Sequence, residues 1–188
     1  MEILSSDRGV TIRNDFSKKY TMSCDTFFEK YRDTPFITEY LKSPENYHLT
    51  HLIDRIDLDD MLFHRVSFSD ALKTLRNMKN QVLFMSESED HSDSCRLRVN
   101  GRTEKGFVAK AGANELADLV EYEWYESWRL SAMDMYLKDA VLPEDLYVFD
   151  ESMEHVIVFT HENDFWELEL TEPMKCAESR YCFVHGFS

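Results

Sequence analysis

The sequence predicts an α+β fold: a helical N-terminal part, then one long central helix packed on a mainly antiparallel sheet from the C-terminal half. Apolar residues recur at helical spacing before residue 80 and again over 115–137, whereas short apolar runs of strand length dominate the rest. Five Gly and four Pro in 188 residues are too few for a turn-dense all-β architecture. Because 13% of the residues are aromatic, we expect 1–188 to form a single globular domain.

Four helices are predicted before residue 80, at 24–32, at 36–41, at about 50–63 and from Ser67 or Ser69 onwards. Ser23 is a suitable N-cap for the first, and Pro35 should end it. Pro44 closes the second. In the fourth helix the apolar residues are Ala71, Leu72, Leu75 and Met78.

Strands are predicted where apolar runs replace the helical period, at 81–86, 95–99, 107–111, 146–149, 156–160, 165–170 and 181–184. The polar, acidic stretch 86–94 is expected to be a loop. The connection between 95–99 and 107–111 is expected to be a loop longer than a two-residue turn, in which Asn100-Gly101 and Gly106 tolerate positive φ. Residues 150–155 have the length of a hairpin connection.

The long helix is predicted over 115–137, with Asn114 as its N-cap and Glu115 in its first turn. One stripe of it is apolar and consists of Leu116, Leu119, Val120, Trp124, Trp128 and Met135. Another face carries Tyr122, Tyr125, Glu126 and Arg129. Tyr and Arg are residue types that anchor protein interfaces, so we expect this second face to bind a partner.

The acidic charge of the chain is concentrated in one segment. The chain has 36 acidic and 21 Lys or Arg residues, a formal net charge of −15. Residues 113–172 hold 17 acids but only two bases, Arg129 and Lys138, whereas 1–112 carry a net −1 and 173–188 a net +1. Such a field favours a basic protein partner and disfavours nucleic acid and anionic membranes.

A second acidic surface is predicted on the strand 165–170. Its apolar residues, Trp166, Leu168 and Leu170, alternate with Glu167 and Glu169. The two carboxylates therefore share the solvent face of that strand. We add Glu167 and Glu169 to the predicted partner-binding residues.

A metal-dependent hydrolase is the alternative function. His48, His51, Asp54 and Asp57 recur at helical spacing, which would place two imidazoles and two carboxylates on one face, but without the HExxH arrangement. His161 and Glu162 form a second candidate pair. Phosphate-binding glycine motifs and a GxSxG elbow are missing, so no cofactor and no catalytic residue are predicted. A self-associating structural protein is a further alternative.

Localisation is predicted from the cysteines and from the first residues. Cys24, Cys95, Cys176 and Cys182 lack the paired spacing of zinc sites. The start, MEILSSDRGV, has neither the basic residues nor the apolar run of a signal peptide. No apolar stretch approaches the roughly 20 residues that cross a bilayer. We therefore expect a cytoplasmic protein with reduced thiols.

The block LYVFDESMEHVIVFTHEND, followed by FWELEL, resembles the C-terminal sheet of small bacterial cytoplasmic proteins. Some of those proteins are the immunity proteins of polymorphic or contact-dependent toxin systems. The resemblance implies an inhibitor that binds one toxin domain and blocks it. Acidic immunity proteins often bind basic nuclease toxins, which agrees with the charge of this chain.

Overall fold

The structure, a computed structural model, describes residues 1–42, 56, 62–79, 81–86, 96–99, 102–105, 107–126, 140–143, 145–163 and 180–187. The helices in these residues are α1 (Ser6–Tyr20), α2 (Cys24–Lys30), α3 (Pro35–Lys42), α4 (Phe68–Asn77) and α5 (Ala113–Glu126). The strands are β1 (Glu2–Ile3), β2 (His64–Val66), β3 (Gln81–Ser86), β4 (Arg96–Val99), β5 (Arg102–Lys105), β6 (Val108–Gly112), β7 (Ala140–Val141), β8 (Leu146–Phe149), β9 (Val156–Asn163) and β10 (Arg180–His185).

Seven strands form one antiparallel sheet in the order β1-β6-β3-β8-β9-β10-β2. The strands β5, β4 and β7 form a separate antiparallel sheet. The predicted α+β class is therefore confirmed. The interpretation of 102–105 as loop is wrong, because β5 pairs with β4 and brings Val99 opposite Arg102.

Helices cover both faces of the seven-stranded sheet. On one face α4 and α5 pack on alternate strand residues such as Val82 and Phe84, and on the other α1 packs on Leu83 and Met85. Successive strand residues point to opposite faces, so β3 contributes to both cores. This explains why β3 is apolar without alternation, as is usual for a strand buried on two sides.

The helix α4 forms as predicted. Its N-cap is Ser67, whose hydroxyl accepts a hydrogen bond from the Asp70 N–H at 3.0 Å. Ala71, Leu72 and Leu75 are buried against the sheet.

The helices α2 and α3 agree with the sequence analysis within two residues. The Ser23 hydroxyl caps α2 by accepting from the Thr26 N–H at 3.1 Å. The predicted helix over 50–63 is wrong at Ile56, which forms an antiparallel bridge with Thr21. It is also wrong at Leu62 and Phe63, which form a bend before β2. The remainder of that helix lies outside the described residues.

The long helix begins two residues earlier than expected. Ala113 is its first residue, so Asn114 lies inside the helix and is not its N-cap. The Glu115 carboxylate accepts a hydrogen bond from the Gly112 N–H at 3.3 Å, which is half of a capping box. Leu116 and Val120 are buried as predicted, whereas 127–137 lie outside the described residues.

Gly9 lies inside α1, where an alanine is expected to stabilise the protein. A Cβ at this position would meet Val108 at 3.7 Å, an ordinary van der Waals contact. Alanine reduces the entropy of the unfolded chain, so Gly9→Ala should raise the free energy of unfolding by about 0.5–1 kcal/mol. Urea denaturation measures this change, and a lower stability would show that α1 packs more tightly on β6 than described.

Candidate functional site

The outer face of α5 carries an exposed aromatic side chain. Tyr122 is 55% exposed, the highest value among the large hydrophobic residues in the described ranges. Tyr125 and Glu126 belong to α5 by their backbone, but their side chains lie outside the described set. Arg129, Glu167 and Glu169 also lie outside it. The structure thus places one of the six predicted partner-binding side chains, and the binding role of all six stays a prediction.

Arg76 connects α4 to the acidic face of α5. Its guanidinium lies 3.0 Å from Asp118 Oδ1 and 2.6 Å from Glu121 Oε2. Hydrogen bonds to these two carboxylates raise the pKa of Arg76 above its already high usual value. Each exposed ion pair of this kind contributes at most about 1 kcal/mol to the free energy of unfolding. The main effect of these pairs here is to neutralise negative charge beside Tyr122.

Other bases from the first 112 residues pair with acids of the segment 113–172. The Met1 ammonium group lies 3.0 Å from Glu115, Lys110 lies 3.1 Å from Glu151, and Lys19 lies 2.6 Å from Glu154. Glu123 and Asp145 are buried, with 4% and 5% exposure.

All eight acids of that segment whose side chains are described are therefore paired or buried. They are Glu115, Asp118, Glu121, Glu123, Asp145, Asp150, Glu151 and Glu154. Counting charges along the sequence gives this segment a strongly negative net charge. In the folded protein, many of its described acids form ion pairs with basic groups that are distant in sequence. Tyr122 is consequently the described feature of α5 best suited to contact a partner.

A second cluster of polar groups surrounds the turn between β8 and β9. Asp150 is its centre. Its Oδ1 accepts hydrogen bonds from the Ser152 hydroxyl at 2.8 Å and the Glu154 N–H at 3.1 Å. Its Oδ2 lies 2.7 Å from Nδ1 of His155. These contacts close the predicted hairpin connection, in which Phe149 pairs with Val156.

The C-terminal end of α1 is hydrogen-bonded to the same turn. Met153 has a φ of 55°, unusual for a residue with a side chain, and its side chain is buried. Its carbonyl accepts hydrogen bonds from Lys19 Nζ at 2.9 Å and from the Tyr20 hydroxyl. Burial raises the pKa of Tyr20, and hydrogen bonding to Glu154 raises that of Lys19. The contacts indicate a structural role, because they hold the turn in a conformation that Met alone disfavours.

His185 completes this region from β10. Its Nδ1 lies 2.6 Å from the Leu62 carbonyl oxygen and therefore donates. The ring lies against Phe63 and Tyr20, with centroid distances of 5.4 and 5.3 Å. The imidazole thus connects β10 to the bend before β2 by a hydrogen bond and a ring contact, and to α1 by a second ring contact.

Asp150 makes the stability of this turn dependent on pH. Burial pushes the pKa of Asp150 up, but hydrogen bonds, above all from His155, outweigh burial and hold it below the usual 3.8. The folded state therefore favours the ionised carboxylate. This stabilisation is complete above the unfolded pKa and is lost as the pH falls through the lower folded pKa.

Asp150→Asn should lower the free energy of unfolding at neutral pH by about 1–3 kcal/mol, because charge-assisted hydrogen bonds are lost. The variant should also lose less stability than the wild type on acidification from about pH 5 downwards. Urea denaturation at a series of pH values measures both effects. Parallel stability curves for the two proteins would contradict the role given to Asp150.

The metal-site hypothesis finds no support in the described residues, which contain no group of three or more His, Cys, Asp or Glu side chains able to hold an ion. His48, His51, Asp54 and Asp57 lie outside those residues. The backbones of His161 and Glu162 lie within β9, which extends to Asn163, three residues beyond the predicted end of the strand. Their side chains are outside the described set.

The sequence pattern gives no signal for three of the groups that compensate these acids, namely Lys19, Arg76 and the Met1 ammonium group. Arg76 and the Met1 ammonium group pair with acids of α5, and a pattern of charges along the chain does not place either beside that helix.

Among the described residues, no helix is long and apolar enough to cross a bilayer.

Comparison of the chain with protein-family models, with curated proteins and with solved structures gives no match.

Proposed function

We propose that this chain is an acidic protein-binding module of the immunity type, which binds and neutralises a basic toxin domain, such as a nuclease, in a bacterial cytoplasm. The observation that carries the proposal is the exposure of Tyr122, 55%, on a helix that belongs to the most acidic segment of the chain. The resemblance of 146–170 to immunity-type proteins supports the toxin as partner.

The distribution of charge supports a basic partner. Of the 17 acids in 113–172, nine have side chains outside the described set, and the segment contains only Arg129 and Lys138 as bases. In the described residues, the charge compensation around Arg76, Lys19 and Lys110 therefore involves four of these 17 acids, namely Asp118, Glu121, Glu151 and Glu154. A net charge of −15 for the whole chain accelerates association with a cationic protein and selects against anionic ones.

Tyr122 supplies the kind of contact that charge alone does not give. A tyrosine loses little conformational entropy on binding and offers both a ring face and a hydroxyl group. A partner rich in Lys and Arg can stack a guanidinium on that ring, an interaction of about 0.5–2 kcal/mol. The adjacent Asp118 is one helical turn away and 73% exposed, although one of its oxygens contacts Arg76.

Capture of a partner from the native host tests the proposal. The immobilised chain should retain a basic protein at about 50 mM salt and release most of it at about 500 mM, because exposed charges are screened within a few Å at high salt. A co-expression experiment then tests neutralisation: the chain should relieve the toxicity of the captured protein. Retention of no basic protein at either salt concentration would contradict the binding proposal, and binding without relief would contradict the immunity function.

Tyr122→Ala is expected to weaken binding of the captured partner about 10- to 30-fold, the range for truncating an interface aromatic. The fold should persist, because exposed substitutions change stability by about 0.5 kcal/mol. Val10→Ala is the control, since Val10 is 45% exposed on α1, across the sheet from α5. Isothermal calorimetry of both variants measures the affinities. Equal affinities would move the interface away from α5.

A further inference from the structure

We draw no further inference here: the strongest candidate, the side-chain cluster of Lys19, Tyr20, Asp150, Glu154, His155 and His185 around the turn between β8 and β9, makes hydrogen bonds that close this turn and hold the end of α1, and no second observation in the described residues points to a ligand for it.

Discussion

Phe16→Ala is expected to lower the free energy of unfolding by about 3–5 kcal/mol, a large part of the stability of an ordinary domain. Phe16 is fully buried on the inner face of α1. Its ring contacts those of Tyr20, Tyr147 and Phe149 at centroid distances of 5.0, 5.8 and 5.2 Å. The alanine would leave a cavity between α1 and the sheet that packed strands cannot fill by relaxation.

Urea denaturation of Phe16→Ala measures this loss, with Val10→Ala as control on the exposed side of the same helix. The control should change stability by no more than about 0.5–1 kcal/mol. Similar small changes in both variants would show that α1 does not cover this face of the sheet. Unfolding of Phe16→Ala at lower urea concentration, with an unchanged slope, is the result expected from lost packing alone.

Gly186→Ala is expected to destabilise the protein by about 2–5 kcal/mol. The residue has a φ of 82°, which costs a side-chain-bearing residue about 1–2 kcal/mol. A Cβ would also lie 1.9 Å from the Glu154 carbonyl oxygen, so the backbone of the turn between β8 and β9 would have to move, and overpacking of this kind costs about 1–3 kcal/mol more.

Gly9→Ala is the matched control for Gly186→Ala, because it adds the same methyl group where the neighbours are at ordinary contact distance. Thermal or urea denaturation should shift the two variants in opposite directions. A Gly186→Ala protein as stable as the wild type would contradict the close approach of Gly186, the residue after β10, to the turn.

The sequence predicts those parts of the fold that are stabilised by hydrogen bonds between residues close together in the chain. Ser67 caps α4 through a hydrogen bond to a residue three positions later, and the same holds for Ser23 in α2. The connection 150–155 closes through Asp150, whose partners all lie within five residues. Because both partners of such a contact lie within a few residues of each other, the local residue pattern is enough to predict the contact.

The helix α1 is not predicted by an apolar stripe at helical spacing, because its buried face is not apolar throughout. Gly9 and Arg13 share that buried face with Phe16 and Tyr20. Arg13 is 9% exposed and donates hydrogen bonds to the Ser86 hydroxyl and the Phe107 carbonyl, each at 3.0 Å. A charged residue is tolerated in that position because these partners, 73 and 94 residues away, satisfy it. Helical periodicity alone cannot anticipate partners at that distance.

The same limit applies to the candidate site. Exposure of Tyr122 followed from its position opposite the apolar stripe of α5, and this was predictable. Compensation of Asp118 and Glu121 by Arg76 depends on how α4 packs beside α5, which the sequence pattern does not encode. Net charge counted along the chain therefore overstates the negative surface that this part of the fold presents.

The association of the captured partner with two charge-reversal variants tests the central claim most directly. Glu126→Lys and Glu29→Lys change the net charge equally, but the first lies in α5 and the second is an exposed residue of α2. If the partner binds α5, Glu126→Lys should weaken binding about tenfold or more, and Glu29→Lys about twofold or less. Equal weakening by both variants would contradict a local site and leave only a general attraction between opposite charges.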